Sequence, residues 1–232
     1  AKGHSLLKSR DTKKDQTYFL QDVPKQKLKN CLFPLGELLK EEVREIAHDQ
    51  GFQNSRKKDS TGICFIGERR FDDFIENYIA DSPGKITDPA GRQLGRHRGL
   101  HFYTIGQRKG INIGGLKNRQ EAPWYVVDKN IDENNLIVSQ KNSDLMHDWL
   151  RVSDVNWLKT IDLPLKCQTK IRYRQPDQQC TIQQSLNGQL LVRFNRNQRA
   201  IAKGQYAAFY QGETLLGGGQ IVARGIRGSN SG

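Results

Sequence analysis

From about residue 84 onward this sequence consists of short β-type runs cut by Gly- and Asn-rich turns, and that punctuation limits the possible folds more than any other feature. Residues 99–105, 124–127 and 136–139 make a first set, read as a small central β domain. A second set begins near Leu150 and includes 166–173, 180–184, 189–194, 206–210 and 214–222. Short strands at this spacing suggest a barrel, which leaves no long edge unpaired.

Before residue 84 the pattern is helical. Pro24 suits the first position of a short helix running through Leu28 and Cys31, which Phe33-Pro34-Leu35-Gly36 then breaks. Leu39, Val43, Ile46 and Ala47 recur at i, i+4, i+7 and i+8, so a second helix offers one apolar face to a packing partner, with Gly51 at the place of a left-handed carboxyl cap. Phe71, Phe74, Ile75 and Tyr78 mark a third amphipathic helix, stopped by Asp81-Ser82-Pro83-Gly84. Residues 1–14 are polar and carry no clear period.

The fold class is therefore α+β: a helical segment followed by a small central β domain and a carboxyl-terminal β-barrel. The expected divisions are 1–70, 71–145 and 146–223, with 224–232 as a flexible tail. Hydrophobic residues make up 35% of the 232, lean for one large core and ordinary for several small ones.

The net charge is +12, a balance that draws polyanions and makes binding sensitive to salt. It is concentrated. Between Lys166 and Lys203 eight Lys and Arg residues stand against Asp177 alone, with Tyr173, Gln175 and Phe194 interleaved. A solvated basic face would look like this, and so would an RNA surface, where phosphates seek cations and unpaired bases stack on aromatic and guanidinium planes.

The four cysteines, at 31, 64, 167 and 180, form no CxxC, and no His pair stands at zinc spacing, so neither a metal site nor a disulfide framework is indicated and a cytoplasmic setting is expected. No apolar run approaches the ~18 residues of a membrane span. Cys31, on the apolar side of a helix, and Cys167 and Cys180, in strand-like runs, read as structural.

Cys64 differs, since it sits in a short glycine-bracketed loop, Lys57-Lys58-Asp59-Ser60-Thr61-Gly62-Ile63-Cys64-Phe65-Ile66-Gly67-Glu68-Arg69. Lys57, Lys58, Arg69 and Arg70 favour the thiolate, partly opposed by Asp59 and Glu68. Local sequence leaves open a reactive thiol and a small buried hydrophobe between Ile63 and Phe65. Lys14-Asp15-Gln16 could hold a phosphate and a base edge, or could simply be a turn before Tyr18-Phe19-Leu20. Gly106-Gln107-Arg108-Lys109-Gly110 lacks the Gly-Lys-Ser/Thr of a Walker loop and reads as a tight turn with a basic tip. His97, His101 and His147 show no partner pattern.

These motifs together resemble one family. The Cys64 loop, Lys14-Asp15-Gln16, Phe33-Pro34-Leu35-Gly36, Tyr103-Thr104-Ile105-Gly106-Gln107-Arg108-Lys109-Gly110, Pro123-Trp124-Tyr125-Val126-Val127-Asp128-Lys129 and Arg172-Tyr173-Arg174-Gln175 match the tRNA-specific 2-thiouridylases (MnmA) over nearly the whole chain. The resemblance implies a sulfurtransferase in which ATP adenylates the wobble uridine and Cys64 holds a persulfide supplied by a cysteine desulfurase or a sulfur-carrier protein. It also implies that Lys14, Asp15, Gln16, Arg172, Tyr173 and Gln205 lie against tRNA, with Arg172 giving charge, Tyr173 a stacking face, and Gly204 letting backbone approach beside Gln205.

The family's Ser-Gly-Gly-Val-Asp-Ser pyrophosphate loop is absent from these 232 residues. The chain is thus expected to bind tRNA without thiolating it alone, and to hold neither ATP nor a metal. The alternative is an RNA-binding module with no catalytic role.

Overall fold

The computed structural model describes residues 5–57, 82–113 and 122–226. The Cys64 loop from residue 58 onward and the helix expected around 71–78 lie outside the described residues. In chain order the strands and helices are β1 (Leu6–Leu7), α1 (Lys25–Leu28), α2 (Lys40–Asp49), β2 (Gly84–Thr87), β3 (Gln93–His97), β4 (Tyr125–Asn130), β5 (Asn135–Ser139), β6 (Met146–Trp157), β7 (Leu165–Lys170), β8 (Gln178–Gln184), β9 (Leu190–Arg199), β10 (Tyr206–Gln211) and β11 (Thr214–Gly225). They fall into two compact units, one joining the residues up to 57 with those from 147 on, the other holding those between.

In the first unit the strands run β11-β10-β7-β8-β9-β6, and a further β6–β11 pairing closes them into a barrel. The period of two explains its interior. Cys167 and Thr169 of β7, Cys180 and Ile182 of β8, and Leu190, Val192 and Phe194 of β9 are all buried, while the residues between them are not. Phe209 and Trp157 stack inside with centroids 5.5 Å apart. Burying each large side chain of this kind contributes about 1.5–3 kcal/mol.

Strand β11 serves both neighbours through Gly217, Gly218 and Gly219. A Cβ at Gly217 would strike the Asn156 carbonyl, and one at Gly219 would meet the Ser153 carbonyl 2.7 Å away. The strand continues through Arg224 and Gly225, opposite Leu150 and Trp149, into the stretch expected to be tail.

The amino-terminal segment is tied to this barrel. β1 pairs antiparallel with β11, Leu6 opposite Leu215, and the Asn156 amide donates 2.9 Å bonds to the carbonyls of both Gln21 and Val23. A two-residue strand carries no period, so residues 1–14 show none in the sequence. Helix α2 starts where the Asp11 carboxylate accepts the Lys40 N–H at 3.0 Å and the Glu42 carboxylate accepts the Leu39 N–H at 2.6 Å. It ends in the expected left-handed cap: Gly51 has φ +74°, and the Phe52 N–H reaches back to the Ala47 carbonyl.

Two helical expectations need correction. The apolar face of α2 is covered only in part, since Leu39, Val43 and Ala47 are half-buried while Ile46 is 50% exposed. Helix α1 spans only four residues, and Cys31, beyond its end, is exposed instead of sitting on an apolar side.

The second unit is a four-stranded sheet, β3-β2-β5-β4, in which β2 and β5 are parallel and the other pairs antiparallel. Residues 99–105, expected as a strand, instead make a 3-10 turn (Leu100–Phe102) and a loop. Their aromatic rings satisfy local partners: Phe102 lies 4.0 Å from His101 and 3.5 Å below the Arg98 guanidinium. Side-chain packing outweighed β propensity here. The basic tip at Gly106–Gly110 is a turn, braced by Gln107, whose side chain accepts from the Thr104 N–H and donates to the Lys109 carbonyl.

Candidate nucleic-acid interface

Three loci that are distant in sequence meet on the barrel unit: the 3-10 turn Thr17–Leu20 that follows Gln16, the loop after β7, and the turn before β10. The Tyr18 hydroxyl donates to the Tyr206 carbonyl at 2.9 Å, beside Gln205. The Phe19 and Tyr173 rings stand 4.7 Å apart, and an Arg172 guanidinium N–H donates to the Ala200 carbonyl at 2.8 Å. Lys14, Gln16, Phe19, Arg172 and Gln205 are exposed and Tyr173 is half-buried, so all but one of the expected tRNA positions reach solvent.

The exception is Asp15, which turns inward and is 4% exposed. Its carboxylate accepts N–H groups of Ser9 and Thr17 at 3.3 Å each and lies 2.9 Å from the Thr17 hydroxyl, with the Lys170 ammonium at 3.8 Å. The network extends outward. The Tyr210 hydroxyl is 3.3 Å from that of Thr17, Lys170 also lies 3.8 Å from Asp177, and the Lys8 and Lys170 ammonium groups sit 4.5 and 5.4 Å from the Tyr210 ring centre. Burial pushes the Tyr210 phenol well above its usual range. Two cations, two carboxylates and a neutral phenol thus fasten the Lys14-Asp15-Gln16 turn to the barrel.

The Arg172-Tyr173 loop is set by a chain of amides. Gln175 accepts the Ile171 N–H through its side-chain oxygen and returns its own N–H to the Arg172 carbonyl. Its amide donates at 2.9 Å to Gln198, a residue 4% exposed that in turn donates to Gln178 at 3.0 Å. A glutamine relay reads as generic polar sequence, so nothing in the sequence singles out Gln198 or Gln178. Gly204 has φ +83° and makes the turn that presents Gln205, whose carbonyl accepts the Ile221 N–H at 2.7 Å. Tyr18 also stays a neutral phenol: burial raises it, with nearby Arg172 opposing.

Cys64 lies outside the described residues. Cys167 and Cys180 face each other across β7 and β8 as buried free thiols, with sulfurs 3.7 Å apart and Cys180 also 2.9 Å from the Thr169 hydroxyl. The hydrogen bond to Cys180, and then burial, push the Cys167 thiol far up. Among the described residues no group of His, Cys, Asp and Glu could hold a metal ion, and no helix is long and apolar enough to cross a membrane.

An amino-terminal segment clamped onto a closed barrel, preceding a small separate sheet unit in sequence, places the chain among multidomain barrel proteins, and comparison of sequences narrows this. Three family models match in series: a tRNA methyl transferase HUP domain over residues 1–68, a tRNA methyl transferase PRC-barrel domain over 72–140, and an aminomethyltransferase beta-barrel domain over 147–221. The tRNA-specific 2-thiouridylase MnmA of Sodalis glossinidius is 48% identical over 223 residues, covering 94% of this chain and 60% of that protein. Its namesake in Alcanivorax borkumensis is 50% identical over 220 residues, 93% of this chain and 60% of that protein. The chain belongs to the tRNA-specific 2-thiouridylase (MnmA) family and spans about 60% of the length of these relatives.

Proposed function

We propose that this chain is the tRNA-gripping and sulfur-carrying part of a tRNA-uridine 2-sulfurtransferase. The observation that carries the tRNA half is the meeting of Lys14, Gln16, Arg172 and Gln205 around one anchored turn, although up to 191 residues separate them in sequence. Cations there meet phosphates, amides meet base edges, and Asp15 acts from beneath by fixing the turn. The rest of the basic 166–203 window supplies long-range attraction.

Cys64 is the sulfur carrier in this reading. Its cationic neighbours raise the thiolate fraction, and the thiolate takes the outer sulfur of a persulfide on a cysteine desulfurase or sulfur-carrier protein, leaving the donor as a thiolate. That sulfur then bonds to the adenylated C2 of the wobble uridine, displacing AMP. A second cysteine thiol of the whole enzyme attacks the Cys64 sulfur, closing a disulfide that supplies the two electrons and frees the 2-thiouridine. Activation of the C2 oxygen by ATP needs a phosphate-binding loop. The 232 residues contain no Ser-Gly-Gly-Val-Asp-Ser run, so no ATP step is assigned to them.

The test has two arms. Chain incubated with a cysteine desulfurase and cysteine should gain one sulfur atom, mapped by peptide mass spectrometry to Cys64. Chain given tRNA, ATP and sulfide should form no 2-thiouridine. Sulfur on another cysteine would overturn the carrier assignment, and product from the chain alone would overturn the division of labour.

A further inference from the structure

Phe19 belongs to none of the motif positions above, yet it is the most exposed ring of the interface. It is 57% exposed, whereas Tyr173 packs on the buried cluster of Tyr18, Leu158, Ala208, Tyr210 and Leu215. Phe19 is also held in place. The Tyr173 ring leans on it at 4.7 Å and 40°, the Tyr18 ring meets it edge-on at 5.4 Å and 81°, and its own N–H donates to the Gln16 carbonyl at 3.0 Å.

Scattered exposed hydrophobic residues are ordinary on protein surfaces, and Leu32 and Ile131 need no explanation. Phe19 differs from them in being an aromatic plane fixed by two other rings, three residues from Gln16 and beside the Arg172-Tyr173 loop. Fixed rings flanked by cations are the surface on which unpaired bases stack, because the ring loses little freedom on binding and phosphates on either side of the base find positive charge.

We propose that Phe19 is the stacking platform for one unpaired base of the bound RNA, with Tyr173 as the ring that supports it from behind. The proposal rests on the reading that this face binds tRNA, and it moves the stacking role from Tyr173 to its neighbour. Losing one base–aromatic stack weakens single-strand binding by about 5- to 150-fold.

The experiment uses the whole chain and an anticodon stem-loop RNA carrying 2-aminopurine at each loop position in turn. The wild-type chain should quench the fluorescence at one loop position. Phe19→Leu, which keeps apolar volume without a π face, should lose that quenching and bind the stem-loop about 5- to 150-fold more weakly, while Phe19→Trp keeps both. A blunt duplex without unpaired bases should not distinguish Phe19→Leu from wild type, and unchanged thermal melting would show that the fold is intact. A stem-loop bound equally well by Phe19→Leu, with quenching retained, overturns the platform and leaves the tRNA reading standing. No stem-loop binding by the wild-type chain overturns both.

Discussion

The Tyr18 hydroxyl donates a 2.9 Å hydrogen bond to the carbonyl of Tyr206, and this bond joins the turn after Lys14-Asp15-Gln16 to the strand that begins beside Gln205. Because burial raises the Tyr18 phenol, the donor proton stays in place at any ordinary pH. Tyr18→Phe keeps the ring and strands the carbonyl. It should lower stability by about 1–3 kcal/mol in denaturant titration and weaken tRNA binding several-fold, since Gln205 is no longer tied to the turn. Unchanged stability would mean that the bond does not hold the interface together.

Asp15 gives a sharper case, because its buried carboxylate serves two backbone N–H groups, a hydroxyl and the Lys170 ammonium. Asp15→Ala leaves Lys170 with Asp177 as its remaining carboxylate, but it strands the buried Thr17 N–H, and an unsatisfied buried donor costs about 1–3 kcal/mol. Urea unfolding followed by fluorescence should show a loss of that order. A loss below about 1 kcal/mol would place Asp15 outside the clamp.

Much of this arrangement could be read in the sequence. The barrel strands announce themselves because each buries one face, so Leu190, Val192 and Phe194 alternate with residues that face outward. The cap at Gly51 was equally plain, since only a residue without Cβ takes φ +74° at no cost. Strands β2 and β3 are not legible in the sequence because Gly84, Gln93, Gly95 and Arg96 carry little β signal, and their pairing rests on the hairpin turn in which Asp88 accepts from Ala90 and Arg92. The inward turn of Asp15 was invisible too, because nothing in Lys14-Asp15-Gln16 says which member meets Lys170 from β7. Exposed Phe19 and half-buried Tyr173 likewise depend on packing between segments more than 150 residues apart.

His97 should make the second unit sensitive to acid. Burial holds its pKa below the usual value, with the Asn134 carbonyl opposing by accepting a 3.1 Å bond from Nε2, while Nδ1 is buried without a hydrogen-bond partner. The unfolded chain therefore binds a proton near pH 6.5 that the folded one refuses, so stability falls as pH drops below about 6.5 and levels off only below the folded pKa. Thermal melting between pH 7.5 and 5 should show this decline. His97→Gln should flatten it, and a wild-type curve equally stable at both ends would contradict the assignment.

The thiols should separate by accessibility and charge. Limiting iodoacetamide on the native chain at neutral pH should label Cys64 first, then exposed Cys31, and leave Cys167 and Cys180 untouched until denaturant is added. Labelling of Cys167 or Cys180 in native buffer would contradict their placement inside the barrel.

The central claim is that Arg172, anchored by the Ala200 carbonyl beside the Tyr18–Phe19 turn, brings charge to a tRNA phosphate. The most direct measurement is tRNA affinity against salt for the wild-type chain and Arg172→Ala. Wild-type affinity should fall steeply as salt rises, and Arg172→Ala should bind more weakly with a slope smaller by about one phosphate contact. Equal affinity and equal slope in the two proteins, or no binding by the wild-type chain at low salt, would contradict the account.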